Sequence, residues 1–227
     1  MFPIRDTIPS RTIPFVTWLI IIVNAVVFLL ELGFSGDQLT KLFYLFGLVP
    51  ATYSNPRWAF SHGFPVQSFW PFLTSMFLHG SWMHIISNMW ILSIFGDNVE
   101  DRMGHFRFLL FYILCGIVSA GVHLITNLNS SLPTVGASGA IAGVMGAYFL
   151  LYPYARILTL VPIFFYPLFI EVPAVLFLGL WFYTQFFSGV MSLSQHSQVG
   201  GIAWWVHIGG FIAGALLSVV FVRRRYA

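Results

Sequence analysis

The stretch VGASGAIAG, residues 135–143, places a serine among small residues at the start of an apolar segment. Gly139 and Gly143 stand four residues apart, a spacing typical of membrane helices that pack closely against one another. Ser138 is the side chain of this stretch that can act as a nucleophile. The stretch by itself favours the packing interpretation, and the rest of the chain decides whether Ser138 also carries chemistry.

The composition predicts a protein that resides in a lipid bilayer. Of the 227 residues, 58% are hydrophobic and only 7% are charged, and the mean hydropathy is +0.86. That leaves too little polar surface for a soluble globule, and the length suits a single membrane domain over residues 1–227. The net charge of +3 does not indicate a nucleic-acid partner, because the arginines stand at the ends of apolar runs and form no basic face.

Six apolar runs predict an all-α bundle of six transmembrane helices. They lie near residues 15–32, 82–96, 106–126, 136–152, 173–187 and 204–222. The apolar run at 72–78 is expected to lead into the second span. Aromatic residues and prolines in the first loop, 33–71, predict a membrane-associated substructure. Pro162, Pro167 and Pro173 argue against a further helix between the fourth and fifth spans.

The distribution of Lys and Arg predicts the orientation, because positive residues are retained in cytoplasmic loops. With six spans, Lys41 and Arg57 fall on one side of the membrane. The side that holds both termini collects Arg5, Arg11, Arg102, Arg107, Arg156, Arg223, Arg224 and Arg225. Both termini are therefore predicted to be cytoplasmic, and the first loop is predicted to lie outside.

Several polar residues are predicted to share one depth in the membrane. Ser138 is 14 residues from Tyr152 at the cytoplasmic end of the fourth span. At about 1.5 Å per residue in a core about 30 Å thick, it lies roughly 9 Å below the outer surface. His84, Asn88 and His207 fall near the same level. A polar side chain at this depth indicates a functional site, although any one of them could instead form an interhelical hydrogen bond.

The spacing of small residues predicts which helices approach each other. Gly210 and Gly214 let the sixth span pack closely, most simply against the face of the fourth span that carries Gly139 and Gly143. This packing would bring His207 to Ser138. His84 and Asn88 are four residues apart, so a helix presents both on one face.

This set of residues favours nucleophilic acyl transfer. His207 has the intrinsic basicity to accept the proton of Ser138. His84, the Asn88 amide and the Ser138 backbone N–H are candidate donors to the oxyanion. The acidic residues lie near span ends or outside, which favours a Ser-His dyad, with Glu31 kept open as a third member.

Five motifs carry a resemblance to a known family. They are Trp70 with Thr74, HGSWMH at residues 79–84 followed by Asn88, Glu100-x-Arg102, GASG at 136–139, and His207-x-x-Gly210-x-x-x-Gly214. In this order and spacing, over most of the chain, they resemble the rhomboid intramembrane serine proteases. The resemblance implies a rhomboid-like domain in which Ser138 is the nucleophile, His207 the base, and His84 and Asn88 the oxyanion donors.

The resemblance also implies a set of supporting and packing residues. These are Gly136, Gly139, Gly143, Gly210, Gly214, His79, Glu100 and Arg102. The aromatic residues of the fifth span would flank a lateral opening for substrate helices, or else simply face lipid; they are Trp181, Phe182, Tyr183, Phe186 and Phe187. The remaining histidines match no motif position and are expected to be incidental: His62, His105, His123 and His196.

Two positions depart from the family pattern. Pro71 follows Trp70 where many members carry arginine, and Ala142 stands where some members place an aromatic ring against the histidine. Neither departure removes a catalytic group. What supports His207 is therefore left open.

Other functions leave different marks on a sequence. The chain lacks the His-Glu-x-x-His motif of zinc proteases, and it has no pair of mid-span aspartates, so no metal or cofactor is expected. The alternatives are a non-catalytic rhomboid-like binder of membrane helices and a small membrane transporter. The intact serine and histidine favour an endopeptidase that cleaves the transmembrane segments of single-span or multi-span proteins. The absence of organelle-targeting features favours a prokaryotic inner membrane. The sequence leaves the oligomeric state open.

Overall fold

A computed structural model of the protein describes residues 2–64, 68–163, 166–194 and 204–222, without the side chains of 193 and 194. In these residues the elements are β1 (Phe2–Asp6), α1 (Phe15–Glu31), α2 (Gly36–Phe46), α3 (Ala51–Ser54), α4 (Pro56–Ser61), α5 (Pro71–Thr74), a 3₁₀ turn (Ser75–Phe77), α6 (Trp82–Met103), α7 (His105–Thr126), α8 (Ser138–Leu151), β2 (Arg156–Ile163), β3 (Tyr166–Pro173), α9 (Ala174–Ser194) and α10 (Trp204–Phe221). His196 and Arg223 to Arg225 lie outside the described residues.

Three described helices are long and apolar enough to cross a membrane: α7, α10 and the Ala174–Ser192 portion of α9. Helices α1 and α8 are apolar but shorter. The protein is thus a mainly helical membrane protein. The count of six spans and the cytoplasmic placement of both termini stay predictions.

Helices α8 and α10 pack with their backbones in contact. A Cβ added to Gly210 would lie 2.0 Å from the carbonyl oxygen of Gly139, and one added to Gly214 would lie 1.9 Å from that of Gly143. Gly146 continues the same face, since its Cβ would lie 2.0 Å from the carbonyl oxygen of Phe211. Small residues on both helices permit this approach, and it fixes the positions of the N-terminal ends of α8 and α10.

Helix α6 is longer than the predicted span 82–96, and its last turns attach α1. The Glu100 carboxylate, fully buried, accepts hydrogen bonds from the backbone N–H groups of Val16 (2.9 Å) and Thr17 (2.8 Å) and from the Thr17 hydroxyl (2.7 Å). Pro14, which precedes α1, provides no side-chain cap, so Glu100 supplies the anionic cap that a helix N-terminus favours. His105 Nδ1 lies 2.5 Å from the same carboxylate, so His105 has a structural contact and is not incidental.

A three-stranded antiparallel sheet departs from the predicted all-α fold. The strands are ordered β1-β2-β3, and Pro162 pairs with Pro167 near the end of the β2-β3 hairpin. The prolines were predicted to prevent a helix here, and extended chain tolerates them at strand ends and edges. The third strand, β1, comes from the N-terminus, and such pairing between distant segments has no local sequence signal.

The N-terminal strand is tied to the ends of α6 and α8. The Asp6 carboxylate accepts hydrogen bonds from the Asn98 amide, at 2.9 Å, and from the Tyr148 hydroxyl. Burial raises the pKa of the Asp6 carboxyl, and the Tyr148 hydrogen bond partly offsets this. Strand β1 therefore lies at the same end of the bundle as the C-terminal ends of α6 and α8.

The first loop is folded and packs against the segment that leads into α8. Leu48 and Thr134 exchange two backbone hydrogen bonds, at 2.9 and 2.8 Å. The apolar run at 72–78 does not lead continuously into α6 as predicted. It forms α5 and the 3₁₀ turn, and extended backbone at Leu78 separates them from α6, which begins after Ser81 caps it.

Candidate active site

Ser138 is the first residue of α8 and follows a turn that requires glycine at position 136. Gly136 has a φ of +124°, a conformation that side-chain-bearing residues rarely adopt. A Cβ at Gly136 would also lie 2.6 Å from His84 Nε2 and 3.7 Å from Asn88 Nδ2. Only glycine fits here, and the structure thereby brings His84 and Asn88 against the backbone that leads into Ser138.

The start of α8 presents N–H groups that have no acceptor within their own helix. The first four N–H groups of a helix have no intrahelical acceptor and carry a partial positive charge. The Ser138 N–H is one of them, and the Ser138 residue is only half-buried. A carbonyl oxygen that becomes negatively charged beside Ser138 would meet this N–H and the two side chains of α6.

Asn88 is held in place by His79. The Asn88 amide Nδ2 lies 3.1 Å from His79 Nε2, and both side chains are buried. The backbone N–H of His79 in turn faces both carboxylate oxygens of Glu31, at 3.3 Å each. Glu31 was considered as a possible third catalytic residue beside Ser138 and His207. The structure does not bring it to His207 but uses it to anchor the segment that carries His79.

His207 has a partner that the sequence did not predict. Its Nδ1 lies 2.7 Å from Oε1 of Gln185 on α9, and its ring centroid lies 5.8 Å from that of Trp181. The signal that was available is a single glutamine in an apolar helix, since polar groups at membrane depth are commonly functional.

The glycines of α8 and α10 lie beneath these polar groups. A Cβ on Gly139 would meet Ser119 Oγ at 2.1 Å and Val206 Cγ1 at 2.5 Å. A Cβ on Gly143 would lie 2.5 Å from Cβ of Cys115 on α7. Helices α7, α8 and α10 therefore converge just below Ser138, and the residue preceding His207 contacts the residue following Ser138.

The remaining predicted residues lie away from this cluster. Arg102 places its guanidinium over the Tyr152 ring, 5.9 Å from the centroid, at the end of the bundle that holds Asp6. His62 packs on Trp58 in the first loop. His123 Nε2 lies 2.8 Å from the Thr134 hydroxyl, so this histidine, expected to be incidental, holds the segment that precedes Ser138.

The comparisons with known proteins agree with the motifs. The rhomboid domain family matches residues 66–224. "Rhomboid-like protein 11, chloroplastic" of Arabidopsis thaliana is 38% identical over 84 residues, which cover 36% of this chain and 28% of that protein. "Presenilin-associated rhomboid-like protein, mitochondrial" of Bos taurus is 32% identical over 101 residues, 44% of this chain and 26% of the relative.

These relatives are compared over about a quarter of their own length. Their names place them in chloroplasts and mitochondria, so they give no support to the expected prokaryotic membrane. The family match itself spans well over half of the chain. The protein belongs to the rhomboid family of membrane proteins.

Proposed function

We propose that this protein is an intramembrane serine endopeptidase in which Ser138 attacks the substrate carbonyl and His207 accepts the serine proton. The observation that carries the proposal is the backbone contact between Gly139 and Gly210. These residues follow Ser138 by one position and His207 by three, so the contact supports placing the two side chains on adjoining turns. A serine hydroxyl becomes an effective nucleophile only beside such a base.

The proposed reaction has two halves. In the first, Ser138 Oγ bonds to the carbonyl carbon as its proton moves to Nε2 of His207, and that proton then passes to the leaving amine as the peptide bond breaks. In the second, a water gives a proton to His207 and attacks the acyl carbon, and that proton then passes from His207 to Ser138 Oγ as the ester bond breaks, which releases the new carboxyl terminus and restores the serine hydroxyl.

The negative charge on the carbonyl oxygen requires fixed donors. The proposed donors are His84, the Asn88 amide and the Ser138 N–H, which border the turn at Gly136. A donor that is already oriented costs no reorganisation during the reaction, and the loss of one such donor reduces kcat by about 10²–10³-fold in serine proteases.

The proposed substrates are transmembrane segments of single-span or multi-span proteins. A helical substrate shields its carbonyls with its own hydrogen bonds, so it must unwind before attack, and helix-breaking residues should help. The depth of Ser138 estimated from helix rise favours cleavage near the outer leaflet. Exposed aromatic residues of α9, such as Tyr183 and Phe187, suit a lateral opening, although contact with lipid alone would also explain them.

Two other functions compete with this proposal. A non-catalytic rhomboid-like protein would bind membrane helices without cleaving them, and a small transporter would use the polar cluster as a passage. A serine and a histidine near the ends of two helices that pack backbone to backbone favour the enzyme over both. The site of action is proposed to be a membrane. A prokaryotic inner membrane stays a prediction without support from the relatives.

The test uses the purified protein in lipid vesicles with a generic single-span substrate. Ser138→Ala and His207→Ala are each expected to abolish cleavage. Ser93→Ala is the matched control, because Ser93 is an exposed serine of α6 whose hydroxyl only bonds within its own helix. Undiminished cleavage by either site variant would contradict the proposal that Ser138 and His207 form a catalytic dyad. A wild type that captures the substrate but never cleaves it would favour the non-catalytic binder.

A further inference from the structure

Gln185 is a polar side chain in an apolar helix that neither the motifs nor the family resemblance singled out. It lies on α9, is only 8% exposed, and its Oε1 lies 2.7 Å from Nδ1 of His207. A buried amide is costly unless its hydrogen bonds are made. Its contact with the proposed base is therefore the feature that explains its presence.

Neighbouring hydrogen bonds set the direction of this contact. The Thr184 hydroxyl donates to the carbonyl oxygen of Trp181, at 2.7 Å, which leaves its oxygen free to accept. The Gln185 Nε2 group faces that oxygen at 3.4 Å. The amide oxygen of Gln185 is consequently turned toward Nδ1 of His207, and an amide oxygen can only accept a hydrogen bond.

The direction of the hydrogen bond decides which nitrogen of His207 is the base. A neutral imidazole carries one N–H and one lone pair. If Nδ1 carries the hydrogen and donates it to Gln185, the lone pair is on Nε2. That is the tautomer in which Nε2 can take the proton of Ser138, the arrangement that an orienting side chain enforces in other serine and cysteine proteases.

Trp181 packs beside the same ring. It precedes Gln185 by four residues and so shares its face of α9. Its ring centroid lies 5.8 Å from that of His207, at an interplanar angle of 39°, and 6.1 Å from that of Phe211. Ala142 on α8 has no ring to place against His207, so α9 provides the aromatic contact that α8 lacks.

We propose that Gln185 is a positioning residue for His207 that fixes its tautomer, with Trp181 of the same helix packed beside the ring. This inference rests on the proposed protease function and deepens it. Since both residues belong to α9, while Ser138 and His207 belong to α8 and α10, the base is fully oriented only while α9 packs against α10. Helix α9 thereby links the proposed lateral opening to the reactivity of the site.

The first test reads the tautomer directly and needs no activity. Protein labelled with ¹⁵N-histidine is studied by NMR in lipid, and the His207 signals are assigned by their loss in His207→Ala. The wild type is expected to show a protonated Nδ1 and an unprotonated Nε2. Gln185→Met, which keeps the side-chain length but loses the acceptor, is expected to populate the other tautomer. A wild type with its hydrogen on Nε2, or a Gln185→Met signal identical to wild type, overturns the proposal.

The second test measures cleavage kinetics. Gln185→Met is expected to lower kcat by about 10–100-fold, the range seen when the partner that orients a metal-bound histidine is lost, with KM unchanged within about twofold. Gln185→Glu keeps an acceptor and should restore most of kcat. Because a carboxylate favours the protonated imidazole, the acidic limb of its kcat profile should move to higher pH.

Leu176→Met is the matched control, since it introduces the same side chain at an exposed position of α9 and is expected to match wild type. Equal kcat and equal pH profiles for Gln185→Met and wild type overturn the positioning role. If Ser138→Ala still abolishes cleavage in that experiment, the protease proposal stands while this inference falls. If wild type does not cleave at all, the protease proposal falls, and the NMR result still decides the contact.

Discussion

The carbonyl oxygen of Gly139 lies against Gly210, so close that a Cβ on Gly210 would stand 2.0 Å from it. The obstacle is backbone, which cannot rotate away as a flexible side chain would. The distance between α8 and α10 is therefore set by the absence of a side chain at Gly210, and the proposed nucleophile and base lie at the ends of these two helices.

Gly210→Ala is expected to separate α8 from α10. Overpacking of this kind costs about 1–3 kcal/mol or more, and cleavage should fall further than stability because His207 moves away from Ser138. Thermal unfolding and cleavage rate are measured together. Gly121→Ala on α7 is the control, since its Cβ meets no atom within 4 Å. Equal behaviour of the two variants would contradict the backbone contact.

Asn88→Ala is expected to lower kcat by about 10²–10³-fold, the cost of losing an oxyanion donor, with a smaller effect on KM. His79→Leu removes the partner of the Asn88 amide and the ring that packs on His84 but leaves both proposed donors in place, so its loss of kcat should be smaller. Steady-state kinetics on the generic substrate measures both. Asn24→Ala on α1 is the control, because the Asn24 amide bonds within its own helix. A wild-type kcat for Asn88→Ala would exclude it as a donor.

Glu100→Gln is expected to destabilise the protein by about 1–3 kcal/mol, because one of its buried oxygens becomes an N–H group that faces the donors of α1. Thermal unfolding in lipid or detergent measures the change. Glu171→Gln, at an exposed position of β3, is the matched control and should leave the unfolding temperature unchanged. Equal unfolding temperatures for both variants would show that Glu100 does not cap α1.

The burial of Asp6 predicts a pH-dependent stability at the end of the bundle that holds β1. Its pKa is raised in the folded protein, so folding disfavours the ionised form. This destabilisation is absent below the ordinary Asp pKa of about 3.9 and grows as pH rises through the raised folded value. Unfolding temperatures of wild type and Asp6→Asn should therefore diverge in favour of the variant as pH rises from about 4. A constant difference across that range contradicts the prediction.

Local patterns predicted the helices near the site well and the long-range contacts poorly. Ser138 at the head of α8 and the facing glycines of α8 and α10 follow from residue type and spacing. The pairing of Phe2–Asp6 with Arg156–Ile163 joins distant segments. Neither strand's sequence contains a local pattern that indicates which other strand it pairs with. Gln185 was missed for the same reason, since its role depends on which helix lies opposite it and not on any motif in α9.

The most direct test of the central claim is mass spectrometry of the protein after reaction with a fluorophosphonate, which modifies activated serines. The wild type is predicted to carry one adduct, on Ser138, and His207→Ala is predicted to carry none, because the hydroxyl is then unactivated. An unmodified wild type, an adduct on another serine, or equal labelling of Ser138 in His207→Ala would contradict the account.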